Sequence, residues 1–282
     1  MTLTLDRIEI EGAGSDPVAL ARALLDQTPG LDGRVSIDEI ARALDIVSIE
    51  IAPLFSIEAC LQCDALKSHG QIVVNARSSP QRQRFSIGHE LGHFLNERHV
   101  PSVADGFACS RRDMAAPEGE DRHIRQEREA NAFAIEVLAP AHLLQAHLKP
   151  TPELDHVLAI AKRFEISREA AARRYVQCHR DCLAAVFSHD GKIRYVEKSE
   201  GFPSIVPWTN DPHGPLPAPP GDGSPLTGLD EVSAQGWLTY PDRSQLFAQT
   251  LYQREGHAIT LLTVEQDDST TEEIWAPPRF RR

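Results

Sequence analysis

The five residues His89-Glu90-Leu91-Gly92-His93 constrain this chain more than any other stretch of it. Two imidazoles four positions apart share one face of an α-helix, with roughly 5–6 Å between their Cβ atoms, so their ring nitrogens can converge on one metal ion at about 2.0–2.1 Å. Glu90, one step round the helix, then faces the ion's open position. A carboxylate there takes a proton from a water whose pKa zinc lowers towards ~7, and later hands it to a leaving amine. This requires a helix, and the flanks supply one. Ser79 and Pro80 provide an N-cap and a first helical residue, while Phe85, Ile87, Leu91, Phe94 and Leu95 carry the apolar period of a helix of about fifteen residues. Both histidines then lie mid-helix. Gly92 costs such a helix roughly 1 kcal/mol against alanine, which makes sense where another backbone must pass close to a metal. A zinc hydrolase is the expectation; the alternative is a solvated histidine pair without an ion.

At 282 residues the chain exceeds one typical domain, and its net charge of -12, from 29 basic against 41 acidic residues, gives no electrostatic reason to expect nucleic acid or an anionic membrane as a constitutive partner. The start, Met1-Thr2-Leu3-Thr4-Leu5-Asp6, lacks a basic region followed by an apolar run, and no stretch approaches the ~18 apolar residues of a spanning helix, so a cytoplasmic location is expected. Five cysteines scattered over the chain do not form a secreted disulfide framework. Cys60-x-x-Cys63 and Cys178-x-x-x-Cys182 could meet as a four-thiolate zinc site, but neither carries a glycine-bearing knuckle, and buried thiols are the better expectation.

Along the chain, Asp16-Pro17 opens one short helix running to Leu25, and Ser36 caps a second. Ile46 to Ile51 reads as a strand, and a second strand run, Ala65 to Val74, is broken by a turn at His69-Gly70. Glu97 to Asp121 has no periodicity and reads as a long surface loop that could rim a cleft. Helices are expected from near Asp121 to Leu138, then at Ala141 to Leu148, Glu153 to Phe164 and Ser167 to Cys178. A hairpin follows, Leu183 to Phe187 and Ile193 to Val196 about the turn His189-Asp190-Gly191-Lys192. Residues Phe202 to Pro225 hold eight prolines and three glycines, which reads as an extended linker or long loop. Short β runs resume at Trp237 to Tyr240 and Ala258 to Val264, before a polar, basic tail.

A catalytic zinc has three protein ligands as a rule, and Glu129 is the expected third. Its helix places small residues, Ala130, Ala132 and Ala134, beside the acid, which suits close packing against Gly92. Glu136, seven residues on, shares that face, whereas Glu127 is expected to point elsewhere. A competing geometry uses His99, because His89 to His99 has the spacing of the metzincin pattern. Asn96 stands there in place of the pattern's turn glycine, and Met114 makes no convincing Met-turn. His123 or Tyr175 could donate to the oxyanion of a tetrahedral intermediate, although nothing in the sequence fixes that geometry.

These residues resemble the ImmA/IrrE family of zinc metallopeptidases from roughly Val35 to Pro140. The resemblance lies in Ser36-Ile37-Asp38-Glu39-Ile40-Ala41, in Gly70-Gln71-Ile72-Val73-Val74-Asn75 and in Gln83 to His93. It continues in Glu129-Ala130-Asn131-Ala132-Phe133-Ala134 and Leu138-Ala139-Pro140. It implies zinc at His89, His93 and Glu129, Glu90 as general base, and as substrate a helix-turn-helix repressor cut to switch on stress or mobile-element genes. The long loop after His99 and the Pro-rich C-terminal third depart from the shorter members.

Two helices meeting at Glu165-Ile166-Ser167 resemble a helix-turn-helix, in which Arg168, Arg173 and Arg174 would meet phosphates. The turn lacks glycine and the chain is acidic, so a supporting helical bundle is the plainer reading. The expected fold is α+β: a small mixed sheet on a zinc-peptidase helical core over 1–148, a helical segment over 149–181, and a β-rich C-terminal domain over 182–282 with its Pro-rich loop at 202–225. The expected activity is that of a zinc metalloendopeptidase. The alternative is a DNA- or protein-binding regulator whose zinc is not catalytic.

Overall fold

Helix starts follow the caps written into the sequence. In a computed structural model, which describes residues 3–28, 30, 33–103, 105–114, 121–217 and 219–266, Asp16 Oδ1 accepts from Ala19 N at 2.7 Å to open α2 (Pro17–Asp26). Ser79 Oγ accepts from Arg82 N to open α4 (Pro80–Leu95), and Asp121 Oδ1 from Ile124 N to open α5 (Arg122–Leu138). The remaining helices are α1 (Arg7–Glu11), which the periodicity did not reveal, α3 (Ile37–Ala43), α6 (Ala141–Gln145), α7 (Leu154–Phe164) and α8 (Arg168–Cys178). Ser36 precedes α3 as expected but makes no side-chain cap bond. Among the described residues no helix is long and apolar enough to cross a membrane. The basic tail, 267–282, and residues 104 and 115–120 of the loop after His99 lie outside the described residues.

The chain divides into two compact units, residues 1–147 with 158–174, and residues 148–157 with 175–282. The helical segment at 149–181 is thus shared between them. In the first unit the mixed sheet runs β1 (Ile46–Ala52), β3 (Gly70–Asn75), β2 (Ala59–Cys63), β4 (Gly106–Cys109), with β1 and β3 parallel and the other pairs antiparallel. The strand before the turn at His69-Gly70 is therefore 59–63 and not 65–68. β4 lies inside the stretch expected to be loop: four residues are too few to show an alternation, and pairing with β2 supplies what local pattern does not. Gly106, at φ +143°, is required there, since a side chain would run into the carbonyl of Leu61 on β2.

The second unit is an antiparallel sheet in the order β6 (Lys192–Lys198), β5 (Leu183–His189), β9 (His257–Gln266), β8 (Ser244–Tyr252), β7 (Asp230–Val232). The expected hairpin is β5–β6, whereas 237–240 forms a turn. The Pro-rich stretch is a packed loop: Phe202, Ile205 and Leu216 join the core around fully buried Trp237, whose Nε1 donates to Pro215 O at 2.7 Å. The α+β class and the β-rich C-terminal region hold.

Candidate metal centre

The centre is built where α4 and α5 come unusually close. A Cβ on Gly92 would stand 3.2 Å from Ala130 Cα and 3.1 Å from Phe133 Cδ1, and one on Gly88 only 3.3 Å from Ala134 Cβ. Two glycines one turn apart thus let the two backbones meet, and His89, Glu90 and His93 are sealed between them and the sheet with no solvent exposure. The far end of α4 is tied down by Lys67 Nζ, which donates to His93 O and Asn96 O at 2.7 Å each.

His89 Nε2 and His93 Nε2 face each other at 3.1 Å, and the Glu127 carboxylate closes the triangle, Oε2 at 3.2 Å from His89 Nε2 and Oε1 at 3.4 Å from His93 Nε2. Where the protons sit follows from the other ring nitrogens. Asn131 Nδ2 donates to Asp113 O, which leaves Asn131 Oδ1 to accept from His89 Nδ1 at 3.0 Å. Glu129 Oε2 accepts from His99 Nε2 at 2.9 Å, so His99 Nδ1 accepts from His93 Nδ1 at 3.0 Å. Each of His89 and His93 therefore spends its proton on Nδ1 and turns a lone pair inward at Nε2. Two lone pairs and a carboxylate, buried together with no proton between them, repel unless a cation stands at their focus. Glu127 Oε2, though 3.2 Å from His89 Nε2, makes no hydrogen bond of regular geometry.

The electrostatics agree. Burial pushes the Glu90 carboxyl well above its ordinary range and Glu127 adds to this, while the nearby Cys109 thiol offsets part of it. Neither Glu90 oxygen has a hydrogen bond of regular geometry. Burial also holds His93 down at about 3, keeping its ring neutral, as a metal ligand must be.

Of the residues expected from sequence, the structure brings together His89, Glu90 and His93. It does not bring Glu129 to them: that side chain is 30% exposed and engaged with His99. Glu127, expected to point away, takes the place beside the pair. The reason is the rotation of α5, whose buried face runs through Gln126, Glu127, Ala130, Phe133, Ala134 and Val137. Glu127 lies one turn before Ala130 on that face, and Glu129 lies off it. The spacing of 127 to the helix-contact alanines 130 and 134 carried this signal. Glu136 is also buried but pairs with Arg174 Nη2 at 2.7 Å. His99, the rival third ligand, stands behind His93. His123 lies at the rim, 48% exposed, its Nδ1 3.6 Å from Glu127 Oε1 and its Nε2 3.6 Å from Asp113 Oδ1. The Tyr175 hydroxyl belongs to a separate set, with His156 Nδ1 at 3.1 Å and Glu153 N.

Sequence reading missed Cys109. Its Sγ lies 3.8 Å from His93 Nε2, and the donor atoms of His89, His93, Cys109 and Glu127 all fall within 4.8 Å of one another. The other four cysteines are half-buried and lie outside this cluster. The donor set suits zinc: two imidazoles, a carboxylate and a thiol. Tetrahedral bonds of about 2.0–2.1 Å place nitrogen and oxygen donors about 3.3–3.4 Å apart, close to the 3.1, 3.2 and 3.4 Å found here.

No curated protein matches the chain. A solved structure described as a Mycobacterium tuberculosis transcriptional regulator is similar in fold, with a TM-score of 0.52 at 14% identity, over 92% of this chain and 80% of that one. Residues 59–175, which span α4, β4 and α5, match the IrrE N-terminal-like domain of peptidase family M78. Over those residues, the chain is similar to the ImmA/IrrE family of metallopeptidases.

Proposed function

We propose that this protein is a zinc-dependent endopeptidase in which His89, His93 and Glu127 hold the metal and Glu90 is the general base. The observation that carries the reading is the convergence of His89 Nε2 and His93 Nε2, 3.1 Å apart and closed by a buried carboxylate. Zinc bound there supplies Lewis acidity and lets water act as a nucleophile near neutral pH. Glu90, buried and without a hydrogen bond of regular geometry, is set to take a proton and return it to the leaving amine. Asn131 and the His99–Glu129 pair hold the two imidazoles in the tautomer that presents Nε2. His123, at the rim with its Nδ1 3.6 Å from Glu127 Oε1, would be the donor to charge developing on a carbonyl oxygen.

The substrate class we favour is a transcriptional regulator of the helix-turn-helix type. The match of residues 59–175 to the IrrE N-terminal-like domain supports this, as does a fold shared with a protein described as a transcriptional regulator. A DNA-binding role for α7 and α8 is weakened by Arg174, which is buried and spends its guanidinium on Glu136 and on Ala139 O. The test compares newly created protein N-termini in cells making the wild type with those making Glu90→Gln. A cut regulator seen only with wild type is the expected result; identical sets of termini would sink the reading.

A further inference from the structure

Four donor atoms converge on the centre, one more than a catalytic zinc uses. Catalytic sites keep three protein ligands and an open corner, and closed sites have four. With zinc–sulfur bonds of about 2.3 Å and zinc–nitrogen bonds of about 2.0–2.1 Å, a tetrahedron puts sulfur and nitrogen about 3.5–3.6 Å apart. Cys109 Sγ stands 3.8 Å from His93 Nε2, close to that edge, and within 4.8 Å of the donors of His89 and Glu127.

The thiol is held there by backbone. Cys109 pairs with Ala59 across β2–β4, its carbonyl accepts from Glu58 N at 2.8 Å, and the strand enters through Gly106, which no other residue can replace without striking Leu61. A cysteine that only fills a core sits among apolar groups. This one faces two carboxylates, Glu90 and Glu127, and both, with burial, push its thiol up. A second feature points to a ligand at the same place: Glu90 is wholly buried, and neither of its oxygens has a hydrogen bond of regular geometry, the Cys109 thiol being its nearby polar partner.

Resting on the zinc reading above, we propose that Cys109 is the fourth protein ligand, so that the resting protein holds its metal in a closed sphere of one thiolate, two imidazoles and one carboxylate, with sulfur in the corner a substrate water needs. The peptidase is then latent as folded. Glu90 faces a sulfur atom and has no water to deprotonate until Sγ leaves, and the control acts on the occupancy of one coordination position.

The test loads the full-length protein with cobalt(II) in place of zinc. Wild type should show an intense sulfur-to-cobalt charge-transfer band in the near ultraviolet, and Cys109→Ala should lose the band while still binding one cobalt. Acetohydroxamic acid, a small chelating probe, should perturb the spectrum of Cys109→Ala and leave wild type unchanged. X-ray absorption at the zinc edge of wild type, which needs no variant, should find one sulfur in the sphere. Metal bound in both proteins, with no band and no sulfur in wild type, would overturn the proposal and leave the His89-His93-Glu127 reading standing. A wild type whose spectrum acetohydroxamic acid changes as readily as the variant's would overturn latency. Failure of wild type to bind either metal would overturn both the proposal and the reading it rests on.

Discussion

His99 Nε2 donates to Glu129 Oε2 at 2.9 Å, and this one contact commits both side chains to each other. With its Nε2 proton spent, His99 accepts from His93 at Nδ1 and so turns His93 Nε2 towards the metal position.

Zinc content should therefore separate the two acids of α5. Glu127→Ala is expected to lose the metal outright. Glu129→Ala should keep it with affinity lower by about 10–100-fold, the usual effect of removing a residue that orients a ligand. Chelator competition followed by metal analysis reads both. Loss of zinc in Glu129→Ala with retention in Glu127→Ala would reverse the assignment.

Glu90→Gln keeps the shape of the side chain and removes the base. Cleavage of the substrate should fall by about 10²–10⁴-fold while zinc content and thermal stability are kept. A variant that cleaves like wild type would remove Glu90 from the chemistry.

Metal removal should destabilise the first unit, because the buried lone pairs at His89 and His93 then face the Glu127 carboxylate with no cation between them. At free zinc 100 times its dissociation constant the bound ion contributes about 2.7 kcal/mol. Unfolding followed by calorimetry with and without chelator should show a drop of several degrees, restored by added zinc. Coincident curves would mean that nothing binds there.

Gly92→Val places a branched side chain where a Cβ alone would already meet Ala130 and Phe133 at 3.2 and 3.1 Å. Overpacking of this kind costs about 1–3 kcal/mol. Separation of α5 from α4 also carries Glu127 away from the histidines, so zinc affinity should fall together with stability. A variant stable to within about 0.5 kcal/mol and binding zinc normally would show that the close approach is not needed.

Lys67 gives a pH dependence with a definite sign. Burial lowers its pKa from 10.5 to about 8. Between those values the unfolded chain holds the proton more firmly, so this residue's contribution to stability rises with pH, by at most about 1.4 kcal/mol per unit. A neutral amine keeps two N–H groups for its two carbonyl partners, His93 O and Asn96 O. Urea unfolding at pH 7, 8.5 and 10 should show the gap between wild type and Lys67→Met moving in favour of wild type. A constant gap would refute the assignment.

The long elements and the chemistry they carry are legible in local sequence. The caps at Asp16, Ser79 and Asp121 and the apolar period of α4 place His89, Glu90 and His93 on a buried mid-helix face, and the turn at 189–192 closes the β5–β6 hairpin. These are local matters, decided by neighbours within a turn or two. Which acid meets the histidines is a matter of packing, since it depends on how far α5 rolls when Ala130 and Ala134 seat on Gly92 and Gly88. Tertiary structure alone also brought Cys109 to the centre. A four-residue strand has too little pattern to announce itself, and its position comes from pairing with Ala59–Cys63, distant in the chain and adjacent only once the sheet has formed.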